Sequence, residues 1–281
     1  MYKGFNLVLN DELNFKEFLL KNYCKYGKEI CKAKKEDTIE KLQKYVGKDG
    51  SLDCTALQRD WFPEIKSNIF ISHSHADEDL AVSLAGWFHK EFKLESFIDS
   101  YVWGYCNDLL KEIDNEYCRH SNGNSYDYDK RNDSTSHVHM MLSTALNQMI
   151  NKTECIIFLN TDKSILKTED NINDGNGNKT RSPWIYSELV TTKLIEKNIP
   201  NRLKMKKEAF NESFEKSKKV YESEDLKPTY DLDHLIMLSE KELNRLCNKY
   251  KENYPNKPTD ALDEIYIISH IINKLGEPIY D

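Results

Sequence analysis

Glycine and proline are scarce in this chain, with 10 and 7 of them in 281 residues. This composition excludes collagen-like and low-complexity sequences. The motifs GxGxxG and GxxxxGK[ST], which seat a phosphate on the N-terminus of a helix, are both missing. A nucleotide or dinucleotide site built on a glycine-rich loop is therefore excluded.

The chain also lacks long apolar runs and regularly spaced cysteines. No run approaches the roughly 18 apolar residues that span a bilayer, and the first residues, MYKGFNLVLNDELNF, contain no basic stretch followed by an apolar block. The seven cysteines include no CxxC pair, which favours reduced thiols. These features predict a cytoplasmic protein with no signal peptide and no membrane partner.

Positive charge is in deficit, because the formal net charge is −7. Proteins that coat nucleic acid are usually basic, since they neutralise phosphates with lysine and arginine. Nucleic acid is therefore not a predicted partner.

The first 66 residues show helical periodicity. Phe15, Leu19 and Tyr23 recur four residues apart, as the apolar face of a helix requires. This spacing predicts that residues 1–66 form a helical N-terminal extension, in which we find no recognisable chemistry.

From residue 67 onward, short apolar runs alternate with amphipathic stretches. The runs at 69–72, 96–99 and 155–159 are typical of buried strands, and the stretch 77–92 is typical of an amphipathic helix. Further helices are expected over 138–150, after Pro183, after Ser239 and near residues 265–275, and further strands near 199–200 and 232–238. This alternation predicts one α/β domain over residues 67–281 with a parallel sheet. In such sheets ligands bind beyond the carboxyl ends of the strands.

Two polar stretches interrupt this pattern. Residues 119–137 contain few apolar side chains, and residues 167–182 read KTEDNINDGNGNKTRS. We interpret both as insertions of the α/β domain. Segments of this kind are either functional lids or plain disorder, and the sequence leaves both alternatives open.

The segment Ser72-His73-Ser74-His75-Ala76-Asp77 follows the first predicted strand and opens a helix. An HxHxD pattern places alternate side chains around a bend, where they can converge on zinc, as in metallo-β-lactamase-like hydrolases. The histidine that completes that pattern is replaced by Glu78. The alternative is a polar loop whose Asp77 begins the next helix.

A second candidate segment is Ser182-Pro183-Trp184-Ile185-Tyr186-Ser187-Glu188. Trp184 and Glu188 lie four residues apart, so on a helix they share one face. A carboxylate one turn from an aromatic ring can face a cationic ligand from a partly apolar pocket. The alternative is a surface glutamate beside a core tryptophan.

These segments together resemble the Toll/interleukin-1 receptor (TIR) domains. Residues 68–74 are similar to the first TIR box, an apolar strand ending in F-I-S, and 97–99 resemble the second strand with its terminal aspartate. The helix and strand over 141–159 are similar to the following helix and third strand. Trp184 and Glu188 match the W-x-x-x-E of TIR domains that hydrolyse NAD+.

The resemblance implies a flavodoxin-like parallel sheet flanked by helices and an enzyme that cleaves NAD+. Glu188 is then the catalytic residue, and NAD+ is the substrate, with no cofactor and no metal. The substrate-binding residues implied are Ser72, His73, Ser74, Asp99, Trp103 and Trp184. The products implied are nicotinamide with ADP-ribose or a cyclic ADP-ribose signal, in anti-phage defence, and self-association through TIR contacts is expected.

The chain departs from the receptor TIR domains at their second box, an arginine–aspartate turn with proline and glycine. Here Tyr101-Val102-Trp103-Gly104-Tyr105 takes its place, which argues against receptor-style adaptor signalling. Two alternatives to NAD+ cleavage stay open. One is a non-catalytic TIR interaction module, and the other is a metal-dependent hydrolase that uses the HSHAD loop.

Overall fold

A computed structural model of the chain describes most of its residues. The described ranges are 1–9, 13–33, 42–49, 51–102, 106–120, 125–165, 180, 182–208, 232–253 and 257–271. Within these ranges, a five-stranded parallel sheet lies between two layers of helices. The α/β class predicted from the alternation of strands and helices is confirmed.

The five strands are short and pair in parallel throughout. In chain order they are β1 (Lys3–Val8), β2 (Ile69–Ser72), β3 (Ser96–Phe97), β4 (Cys155–Asn160) and β5 (Ile236–Ser239). Their spatial order is β3-β2-β4-β1-β5. In the register Ile69 lies opposite Cys155 and Phe5 lies opposite Ile157. Since β2 and β1 both pair with β4, that strand lies at the centre of the sheet.

The N-terminal strand β1 corrects the prediction that residues 1–66 form a helical extension. It pairs with β4 on one side and β5 on the other, and Phe5 and Leu7 are fully buried. The local pattern KGFNLV is too short to distinguish a strand from a loop, and only pairing with residues about 150 positions away makes it one. This part of the chain therefore belongs to the α/β domain.

The strand order also differs from the flavodoxin-like order 2-1-3-4-5. The three strands β3, β2 and β4 lie in the relative order 2-1-3, but the fourth place is occupied by the N-terminal strand β1. The strand order therefore differs from the predicted flavodoxin-like order, because β1, which precedes the predicted α/β region, enters the sheet.

Helices cover both faces of the sheet. The helices before the polar stretch are α1 (Phe15–Ala33), α2 (Cys54–Trp61), α3 (Glu78–Phe92), α4 (Asp99–Val102) and α5 (Cys106–Ile113), which continues into a π-helical turn (Asp114–Cys118). The later helices are α6 (Tyr128–Lys152), α7 (Pro183–Leu194), α8 (Asn201–Glu208), α9 (Glu240–Asn253) and α10 (Pro258–Ile268). Short 3-10 turns occupy Leu42–Tyr45 and His75–Asp77.

Alternate residues of the strands face opposite helical layers. Ile69 and Ile71 pack with α1, α3, α9 and α10, whereas Phe70 packs with α2, α5 and α6. The helices α1 and α3 approach so closely at Gly27 that a Cβ atom there would lie 2.1 Å from the carbonyl oxygen of Val82. Helix α1 is therefore part of the main core.

Several boundaries differ from the sequence predictions. Helix α6 begins at Tyr128, so most of the polar stretch 119–137 is the solvated first half of a long helix. The predicted strand near 199–200 is not formed, and α8 begins directly after it. The capping box at Ser239 and Glu242 is confirmed by reciprocal hydrogen bonds. No helix among the described residues is both long and apolar enough to cross a bilayer.

Candidate active site at the switch point of the sheet

The carboxyl ends of β2 and β4 form the point where the chain changes direction across the sheet. From β2 the chain moves outward to β3, and from β4 it moves toward β5 on the other side. The two connections leave a crevice between neighbouring strands, which is where open α/β sheets bind ligands. The sequence-predicted residues after these strands therefore lie at the expected place.

Ser72 is the last residue of β2 and directs its hydroxyl into the layer of helix α7. Side chains alternate along a strand, so Ser72 faces the same side as Phe70. Its Oγ donates a hydrogen bond of 2.5 Å to Glu188 Oε2, across 116 residues of sequence. The F-I-S box and the W-x-x-x-E motif thus meet through their polar residues.

Helix α7 places Glu188 against the sheet. It begins as predicted at Pro183, with the hydroxyl of Ser182 accepting a hydrogen bond from the Ile185 N–H. Ile185 and Leu189 are buried beside Phe158 of β4, and Glu188 lies between them on the inward face. Only 4% of the Glu188 surface is exposed.

Trp184 lies one turn before Glu188 and contacts helix α6. Its ring meets that of His139 edge-on, with centroids 5.3 Å apart and planes at 89°. The tryptophan is half-buried and packs beside the α6 core. Of the two roles considered for it, packing between helices is the contact observed.

The electrostatic environment of Glu188 disfavours its charged form. Burial raises the pKa of Glu188 well above its usual value, the negative charge of Asp99 raises it further, and the Ser72 hydrogen bond lowers it. Among the described residues no cation pairs with this carboxyl. Two acids that lie close enough for their negative charges to repel each other are typical of functional sites.

Two further polar atoms near the strand ends lack partners among the described residues. His73 Nδ1 lies 3.4 Å from the Ile71 carbonyl oxygen, while its Nε2 is buried without a hydrogen bond. The hydroxyl of Ser100, which directly follows Asp99, is also buried and unpartnered. Buried polar atoms are nearly always hydrogen-bonded, so both are candidates for contact with a ligand.

Asp77 joins the two loops that flank the crevice, a role that the sequence did not predict. Its carboxylate accepts hydrogen bonds from Ser74 Oγ at 2.8 Å and from Thr161 Oγ1 at 2.5 Å. Lys163 lies 3.5 Å from the other oxygen. Ser74 follows β2 and Thr161 follows β4, so this buried carboxylate ties the ends of both strands together. The Ser74 hydroxyl therefore donates within this link between the strand ends.

The remaining residues considered from the sequence either lie outside the described part of the chain or make other contacts. Trp103 lies outside the described residues, whereas Tyr101 packs against the core beneath α1. His75 is exposed and its ring pairs with Glu78 at 3.4 Å. Among the described residues, no group of three or more His, Cys, Asp or Glu side chains is arranged to hold a metal ion. The HSHAD loop thus has the geometry of a helix start.

Comparison with known proteins finds no match to this chain. No family model, no curated protein and no solved structure matches it.

Proposed function

We propose that this protein cleaves the bond between nicotinamide and ribose in NAD+, in the manner of the TIR domains that its motifs resemble. The observation that carries the proposal is the contact between Ser72 and Glu188 at the switch point of the sheet. A buried carboxyl beyond the strand ends, close to a second acid, is suited to a substrate that brings its own positive charge.

The chemistry needs one carboxylate. The C1′–N bond breaks with both electrons passing to the pyridinium nitrogen, so nicotinamide leaves neutral and requires no proton. Glu188 stabilises the oxocarbenium-like ribose by its negative charge and by hydrogen bonds to the ribose hydroxyls. Water then attacks C1′ and loses a proton to give ADP-ribose, or a nitrogen of the adenine attacks to give a cyclic product. Ordinary glycosidases need a second carboxyl as general acid.

Substrate binding and the ionisation of Glu188 are coupled in this proposal. In the free protein, burial and Asp99 favour the neutral carboxyl. The cationic nicotinamide ring favours the carboxylate, so the proton leaves as the substrate binds. The specificity constant kcat/KM then rises as the pH increases past the raised pKa of Glu188.

Nicotinamide release from NAD+ tests the proposal. Purified protein is incubated with NAD+ over a wide range of protein concentrations, because the self-association expected of TIR domains makes activity depend on assembly. We expect Glu188→Gln to lower kcat/KM by about a hundredfold or more, the usual effect of removing one electrostatic stabiliser of a transition state. The matched control is Glu196→Gln, which alters an exposed glutamate just beyond α7. Equal turnover by the wild type and Glu188→Gln would contradict the assignment of Glu188.

The burial of Glu188 favours a second candidate, the non-catalytic TIR interaction module. A carboxyl that is 4% exposed and held by a serine hydroxyl is also what a structural residue looks like. In that case the protein assembles with itself or with a partner as its concentration rises. Sedimentation velocity that detects assembly, with no nicotinamide released at any concentration, would favour this module over the enzyme.

A further inference from the structure

A cavity of about 500 Å³ lies between α2, the end of α5 and the first half of α6, in the helical layer that covers Phe70. This volume falls within the range of roughly 300–1,000 Å³ that is common for small-molecule sites. The lining side chains are Leu52, Cys54, Ile113, Tyr117, Cys118, Lys130, Asp133, Ser134, His137 and Met141. Its residues are distinct from those of the proposed NAD+ site.

The inner wall of this α6 cavity is apolar. Ile113, Cys118 and Met141 are buried, and burial raises the pKa of the Cys118 thiol, so it lines the wall as a neutral group. The buried acid nearby, Asp114, is already engaged, because Arg131 and Ser134 both donate to it at 2.9 and 2.7 Å. The interior therefore suits a hydrocarbon or aromatic group.

The wall contains an irregular turn. Tyr117 and Cys118 belong to the π-helical segment Asp114–Cys118 that follows α5. Such turns are uncommon and occur often at functional sites, because the extra residue widens the backbone. Here the turn directs two side chains into the cavity.

The mouth carries opposite charges one helical turn apart. Lys130 and Asp133 are both exposed and lie at positions i and i+3 of α6, which share a face. Neither forms an ion pair among the described residues. His137 continues the same stripe, and the buried Met141 ends it in the interior.

We propose that this cavity binds a small zwitterion with a large apolar body, of the class of the aromatic and large aliphatic α-amino acids. The apolar side chain fills the inner wall, the carboxylate pairs with Lys130, and the ammonium pairs with Asp133. A ligand with one charge leaves one of these two groups without a partner, so both charges contribute to recognition.

Titration calorimetry with L-tryptophan and two analogues tests this assignment. Indole-3-propionate keeps only the carboxylate, and tryptamine keeps only the ammonium. We expect one L-tryptophan to bind per chain, about two- to fivefold more tightly than either analogue, as expected for one exposed ion pair. Lys130→Gln should weaken binding of tryptophan and indole-3-propionate and leave tryptamine unchanged, and Asp133→Asn should have the converse effect.

A matched control and a thiol footprint locate the binding. Lys21→Gln, on the exposed face of α1, should leave all three affinities unchanged. Bound tryptophan should slow alkylation of the half-buried Cys54, which lines the cavity, but not of the half-buried Cys24 on α1. The proposal is overturned if tryptophan and phenylalanine do not bind at millimolar concentration, if the two analogues bind as tightly as tryptophan, or if Cys54 is not protected.

Discussion

Two acids, Glu154 and Glu188, lie at opposite ends of the central strand β4, and their hydrogen-bond and charge partners differ. Glu154 directly precedes β4, where Arg202 of α8 donates to both of its oxygens at 2.6 and 2.5 Å and Tyr266 donates to one at 2.9 Å. Arg202 also donates to Asp263 at 2.9 Å. Glu188, beyond the carboxyl end of the strand, receives one hydrogen bond from Ser72 among the described residues, and its charged neighbour there is another acid, Asp99.

Glu154 therefore stabilises the fold, whereas the charge of Glu188 destabilises it. The amino-end network satisfies each carboxylate with a cation and hydrogen bonds, and it ties β4 to α8 and α10. At the carboxyl end, burial opposes the charge of Glu188, and no cation among the described residues compensates for it. Proteins accept such a local cost mainly at functional sites.

The largest expected effect comes from removing the cation at the amino end. Arg202→Met leaves Glu154 and Asp263 without their shared partner, and we expect it to lower the free energy of unfolding by about 3 kcal/mol. Chemical denaturation measures this loss. The double variant Arg202→Met/Glu154→Gln should recover part of it, and an unchanged midpoint for the single variant would remove the distinction between the two acids.

A smaller effect is expected when the charge at the carboxyl end is removed. Because the folded-state pKa of Glu188 is raised, the native protein holds this proton more tightly than the unfolded chain does. The stability that the bound proton contributes is lost as pH rises toward that pKa. Glu188→Gln lacks the ionisation. Its unfolding free energy should match the wild type near pH 4 and exceed it by roughly 1–3 kcal/mol near pH 8. A variant that is less stable than the wild type at pH 8 would show that Glu188 is structurally compensated like Glu154.

Loss of the hydrogen bond between Thr161 and Asp77 should lower the free energy of unfolding by about 1 kcal/mol. Thr161→Val removes the hydroxyl that donates to Asp77 and accepts from the Lys163 and Ser164 N–H groups, while it preserves the volume. The control is Thr144→Val on α6, since the Thr144 hydroxyl bonds only a carbonyl of its own helix among the described residues. Equal midpoints in thermal unfolding for the two variants would mean that the link between Asp77 and Thr161 does not stabilise the strand ends.

The smallest effect is expected from Asp99→Asn. Loss of this charge lowers the pKa of Glu188, so the carboxylate forms at lower pH. If the protein cleaves NAD+, the acidic limb of kcat/KM should move to lower pH, and stability near pH 8 should rise by less than in Glu188→Gln. Asp108→Asn, on α5, serves as the matched control. An acidic limb that moves to higher pH would contradict the repulsion between the two acids.

Much of the fold was predictable because its signals are local. The apolar run at 155–159, the amphipathic stretch at 77–92, the Ser182-Pro183 helix start and the Ser239–Glu242 capping box each depend on a few adjacent residues, and each is observed. Their order was enough to predict a parallel α/β sheet and to direct attention to the residues after each strand.

The predictions that failed depend on distant partners. The strand β1 has no strong local pattern and is stabilised by pairing with β4 and β5. The polar stretch 119–137 resembles a loop, yet most of it is helical, because only one stripe of that half of α6 meets the protein. In the site, Asp77 looked like a helix start, and its link to Thr161 could not be read from positions 84 residues apart.

The sequence by itself determined most of the helices and strands, the absence of glycine-rich phosphate loops and the candidacy of Glu188, because periodicity, capping and motif spacing are properties of neighbouring residues. Only the tertiary structure decided that β1 enters the sheet and that Ser72 meets Glu188. It also decided that the charge of Asp99 acts on Glu188, which has no cationic partner in the described part of the chain, while Glu154 is neutralised by Arg202. Burial and charge depend on which distant side chains share a space, and that is settled when the elements pack.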